Sequence, residues 1–148
     1  MARMKFSARK DGITTGTSLK TLIQVVAPSN IRVVVLEVGI GFHDTVNTDA
    51  PVTVNLMRQS TAGTMSPLTP VKADYSLSET IQSTAQHTAT VEPTAADILA
   101  TWSIHPQTGL VYQQPKNDEF IIPGAGKVGL TVTAGTSTTA DAYLKCEE

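Results

Sequence analysis

A chain of 148 residues, 41% hydrophobic and 16% charged, has room for one core and needs neither disulfide nor metal to close it. Its formal net charge of −2 excludes the broad basic field of a nucleic-acid binder, and no apolar run nears the ~20 residues that cross a bilayer as a helix. Charge falls short of the ~25% usual in soluble domains; 22 threonines take up the difference, and their β-branched side chains suit a pleated surface.

Residues 1–10 hold five apolar and four basic side chains with poor periodicity. They read as an N-terminal arm with a short strand around 4–8. A basic start without an apolar stretch behind it is not expected to be a secretory signal. Asp11-Gly12 is a turn, and residues 14–18 are Thr, Ser and Gly loop material. The expected organisation is therefore an arm and loop over 1–18 and one β-sandwich domain over 19–148.

Residues 19–27 read as a strand closed by Pro28-Ser29-Asn30. Residues 31–42 form the longest apolar run, with Arg32, Val34, Leu36, Val38, Ile40 and Phe42 on one parity; its valine density favours strand over helix. A polar loop follows over 43–51, then a strand over 52–57 and a loop over 60–70 rich in Ser, Thr, Gly and Pro. Residues 71–75 suggest a short strand. Residues 76–83 suggest one helical turn capped by Ser76 or Ser78. Residues 87–91 alternate as a strand, 95–99 are open between helical turn and strand, and 99–104 read as a strand carrying Trp102.

The last third is the clearest. Turns at 105–109 and 115–118 bracket a strand over 110–113. Phe120, Ile121 and Ile122 run into Pro123-Gly124-Ala125-Gly126, a tight reversal. Beyond it Val128, Leu130, Val132 and Ala134 share one parity, and Lys127, Gly129, Thr131 and Thr133 the other: a strand with one buried and one polar face. Ala140, Ala142, Leu144 and Cys146 alternate with Asp141, Tyr143, Lys145 and Glu147 in a closing strand. Eight to ten short strands with turns between them predict an all-β antiparallel sandwich or barrel.

The chain offers no catalytic constellation. Cys146 is the only cysteine, so no internal disulfide forms and a reducing cytoplasm suffices for synthesis. It falls on an apolar parity, as a core residue would. His43, Asp44 and Asp49 lie close in sequence, while His87 and His105 stand alone without metal-ligand spacing. The residues 124–126 lack a following helix and Lys-Ser/Thr pair, so they read as a hairpin rather than a phosphate loop. No catalytic, metal or cofactor site is expected. The basic group Arg3, Lys5, Arg9 and Lys10, interleaved with Met4 and Phe6, is the candidate contact for an acidic partner.

Four segments carry a resemblance: Glu92-Pro93-Thr94; Ile104-His105-Pro106-Gln107-Thr108-Gly109; Ile122-Pro123-Gly124-Ala125-Gly126-Lys127-Val128-Gly129-Leu130; and the closing Tyr143-Leu144-Lys145-Cys146-Glu147-Glu148. Over residues 91–148 the chain resembles the capsid decoration (cement) proteins of tailed bacteriophages, of jelly-roll type. The resemblance implies a jelly roll, a homotrimer, and a place on the outer capsid surface of the virion bound to the phage major capsid protein, after synthesis in the host cytoplasm. It carries over no active site. The basic arm (Arg3, Met4, Lys5, Phe6, Arg9, Lys10) would then touch the capsid. The rival expectation is a carbohydrate- or receptor-binding sandwich of a phage tail or spike, which requires Trp102 or Tyr112 on an exposed concave face.

Overall fold

A computed structural model describes residues 3–44 and 50–148. Met1, Asp49 and most of the 43–51 loop lie outside the described residues. The described chain forms twelve strands: β1 (Lys5–Thr14), β2 (Lys20–Val26), β3 (Val33–His43), β4 (Val52–Gln59), β5 (Thr64–Leu68), β6 (Val71–Lys72), β7 (Thr84–Val91), β8 (Ala95–Ile104), β9 (Leu110–Gln113), β10 (Phe120–Ile122), β11 (Lys127–Ala134) and β12 (Thr139–Glu147). Sheet I has the order β10-β3-β12-β1-β6, with β9 also on β3; sheet II has the order β5-β7-β2-β11-β4-β8. All pairings are antiparallel.

The pairing has a simple logic. β1 lies on β12, β2 on β11, β3 on β10 and β9, and β4 on β8. The first four strands therefore form one long antiparallel ribbon with the later ones. Successive rungs of that ribbon alternate between the sheets, and winding brings β12 beside β3 and β11 beside β4. This is the eight-stranded, two-sheet jelly roll. The excursion β5–β7 is inserted between β4 and β8: β5 and β7 widen sheet II, and β6 widens sheet I.

The sheets bury one core between them, including Phe6, Ala8, Leu22, Val25, Val33, Val35, Val54, Leu56, Ile122, Leu130, Val132 and Leu144. The parity predicted for β11 and β12 holds: Val128, Leu130, Val132, Ala134, Ala140, Ala142, Leu144 and Cys146 are all buried. In β3 the single parity breaks. Val33 and Val35 face inward, and so do Val38 and Ile40. Lys145 pairs with Glu37 and Cys146 with Val35, so Leu36 is the extra residue of a β-bulge that switches which parity is buried.

Within the stretch expected as an arm and loop over 1–18, the described residues are not an arm ahead of the sandwich. Residues 5–14 are β1, laddered to β12 from Lys5–Glu147 to Thr14–Thr139. Met4, Phe6, Ala8 and Ile13 are core residues. Their alternation with Arg3, Lys5, Ser7 and Arg9 is the period-2 pattern of a half-buried strand. The 60–70 loop contains β5, whose Pro67 is tolerated because β5 is an edge strand. No helix forms among the described residues. In place of a turn capped by Ser76 or Ser78, the Asp74 carboxylate accepts from the backbone N–H and hydroxyl of Ser76. The Glu148 carboxylate then fixes the end of that segment, accepting from the N–H groups of Gln82 and Ser83. Residues 95–99 are strand, within β8.

Candidate functional site

The two sheets present unlike outer faces. Sheet II is partly roofed by its own chain. The connections at 60–63 and 92–94 carry the chain between β4 and β5 and between β7 and β8, and they lie over its outer face. Gln24 donates to the Thr61 carbonyl at 3.0 Å and to Gln59 Oε1 at 2.7 Å. Gln59 donates to the Thr21 hydroxyl at 3.0 Å, and the Glu92 carboxylate accepts from the Thr21 hydroxyl at 2.7 Å. Under this polar network Gly129 and Thr131, expected on an open polar face, are buried. A Cβ on Gly129 would stand 2.4 Å from Gln59 Oε1, so the glycine makes the space the amide fills.

Sheet I is open on its outer face, and its residues can be placed by register. One row runs Val71, Ser7, Lys145, Glu37, Gln113 across β6, β1, β12, β3 and β9. The next runs Arg9, Tyr143, Gly39, Val111. On the other side of the first lies Lys5, Glu147, Val34, Ile121. Val71, Val111 and Ile121 are exposed. The Tyr143 ring lies over Gly39, where a Cβ would meet it at 2.0 Å, and its hydroxyl donates to Glu37 Oε1.

Four carboxylates on this face are held. Glu147 accepts from Arg3 at 2.8 Å. Glu37 accepts from Tyr143 and lies 3.6 Å from Lys145 Nζ. Asp11 takes a forked pair from Arg9, at 3.1 and 2.6 Å, which holds its carboxyl below the ordinary value. Asp141 accepts from the Gly12 N–H at 2.8 Å and lies 2.9 Å from His43 Nδ1.

The six residues expected to contact a partner separate into three groups. Lys5 and Arg9 project from the outer face of sheet I, and Arg3 is bound to Glu147 beside it. Lys10 has the opposite parity, near His87, whose pKa is lowered first by burial and then by that cation. Met4 and Phe6 are core side chains, and their alternation with the cations serves β1 rather than a contact. Tyr143, Lys145, Val111 and Ile121 complete the face. The outward parity of Tyr143 and Lys145 is legible in the sequence, but their place beside Lys5 and Arg9 depends on the β1–β12 register.

Trp102 is half-buried against the core, and its ring meets Tyr112 at 5.3 Å between centroids, tilted by 50°. The pair joins β8, an edge of sheet II, to β9 of sheet I. Among the described residues no group of three or more His, Cys, Asp or Glu could hold a metal ion. No described helix is long and apolar enough to cross a membrane.

Two raised pKa values give a pH dependence. Burial pushes the Cys146 thiol from 9.0 to about 12, helped by the Glu148 charge. Burial, and then the bond to Glu37, raises Tyr143 from 10.0 to about 12. Well below pH 9 both groups are protonated in folded and unfolded chains, and neither affects stability. Above it the unfolded chain releases protons that the folded chain keeps, so stability is expected to fall from about pH 9 to pH 12. Urea midpoints between pH 8 and 11 check this, with Cys146→Ala removing the earlier-onset part of the fall. A midpoint constant to pH 11 would be the contrary result.

Comparison with family models, with curated proteins and with solved structures found no match to this chain.

Proposed function

We propose that this protein is a non-enzymatic structural protein that decorates and stabilises the outer surface of a bacteriophage capsid, as a homotrimer bound to the major capsid protein. The observation that carries the reading is the pairing of a rigid jelly roll with one open sheet face bearing exposed apolar and cationic side chains. Such a face offers docking area. The resemblance of residues 91–148 to decoration proteins agrees with it. Trimerisation serves the same end, since three modest footprints on one shell bind far more tightly than one.

The test is co-sedimentation of purified protein with heads of its own phage assembled without it, together with its mass by light scattering. A trimer that binds saturably and raises the temperature at which heads rupture is the expected result. A monomer that leaves heads bare would count against the reading and return a glycan screen to the agenda. Trp102, half-buried and packed at a tilt against Tyr112, gives that rival little support, because a sugar platform needs an open ring face.

A further inference from the structure

We infer that the outer face of sheet I is the surface that meets the shell, and that it recognises an acidic patch studded with apolar side chains on the shell protein. The inference rests on the decoration reading and adds the face and the chemistry of its partner.

Charge geometry carries it. On this face Arg3, Lys5, Arg9 and Lys145 are matched in number by Glu37, Glu147, Asp11 and Asp141, but the two signs are unequally exposed. Arg3 and Lys145 side chains are 67% and 52% exposed, whereas the Glu147 and Glu37 carboxylates they accompany are only 9% and 15% exposed; Arg9, 70% exposed, is paired with Asp11 at 55%. Lys5 is exposed as well. The more exposed acids, Asp11 and Asp141, are tied into hydrogen bonds within the face. The cations are therefore the more exposed partners, by a wide margin over Glu37 and Glu147 and a narrower one over Asp11. Between the cations stand Val71, Val111 and Ile121, three of the seven exposed large hydrophobic side chains among the described residues. Val111 is 70% exposed on a strand that the sheet holds rigidly through β3. Sheet II also exposes Val91 and Ile98, but its polar network holds its own crossing connections over part of its outer face.

Size decides the binding mode. Five strands at ~4.8 Å spacing and about eight residues of length give roughly 600 Å² of projected face. A stable pair of proteins uses about 800 Å² per partner. One copy would bind weakly, and three copies held together would not.

The experiment compares wild type, Lys5→Glu combined with Val111→Asp, and Thr133→Glu in co-sedimentation with bare heads. Thr133 is exposed on the outer face of sheet II, so its substitution adds negative charge to the opposite side. The altered positions are exposed, and thermal melts verify that all three proteins fold alike. The double variant is expected to bind at least tenfold more weakly and Thr133→Glu within twofold of wild type. Wild-type binding should weaken as salt rises, by screening. Equal binding by the double variant and wild type would overturn the face while leaving the decoration reading standing. Heads that ignore wild type altogether would overturn both. Retention of wild type on double-stranded DNA, abolished by the double variant, would assign the face to a polyanion instead and overturn the protein partner.

Discussion

A chain lacking residues 1–10 is expected not to fold. The truncation removes Met4, Phe6 and Ala8 from the core and strips β12 of its ladder from Lys5–Glu147 to Lys10–Ala142. Truncating one buried Phe to Ala alone costs about 3–5 kcal/mol, against a total of ~5–15 kcal/mol for a typical domain. Cys146 and Leu144, buried in the same sheet, would be laid open along the vacated edge. Circular dichroism and a thermal melt read the outcome: no cooperative transition in the truncated chain. Phe6→Ala supplies the graded version, with a loss of about 3–5 kcal/mol, while Lys5→Ala, on the exposed face, stays within about 0.5 kcal/mol. A truncated protein that melts cooperatively near the wild-type temperature would restore the arm.

Gly129→Val is expected to be the most damaging single change outside the core. The new side chain takes the place of the Gln59 amide, 2.4 Å from the would-be Cβ. Gln59 then loses Thr21 and Gln24, and Gln24 Oε1 already has no protein partner. Leaving a buried amide unpaired costs about 1–3 kcal/mol, and overpacking adds about 1–3 kcal/mol. Together they predict a loss of roughly 2–6 kcal/mol, or a melting temperature lower by about 5–25 °C at this chain length. Gly135→Ala is the control: a Cβ there meets nothing within 4 Å, so its effect stays within about 0.5 kcal/mol. Equal melting temperatures for the two variants would remove the polar network from the account of sheet II.

These two results also mark what the sequence could and could not convey. The all-β class and the core parities of β11 and β12 were legible, because alternation over eight or nine residues has one reading. β1 was obscured because its outward positions are mostly basic, which makes a strand look like a solvated terminus. The β3 parity failed at Leu36, since a bulge is defined by the partner strand and leaves no local mark. β5 was hidden by Pro67, which an edge strand accommodates. Gly129 looked like one more position on a polar face. Only the return of the chain over sheet II, set by the inserted β5–β7 excursion, makes it a buried contact for Gln59.

The candidate face divides in the same way. Lys5 and Arg9 were singled out from composition, and Met4 and Phe6 were grouped with them although they point to the other side of the same strand. Lys145, Tyr143, Val111 and Ile121 come from strands more than a hundred residues away in sequence. Antiparallel pairing of β1 with β12, and of β3 with both β12 and β9–β10, brings them into the same rows.

The most direct test of the central claim is an electron cryomicroscopy reconstruction of bare heads saturated with the purified protein. The account predicts added trimeric density on the outer surface, with the jelly roll seated so that Lys5, Lys145, Val111 and Ile121 face the shell. Saturated heads without added density would contradict the decoration reading, and density seated on sheet II would contradict the assigned face.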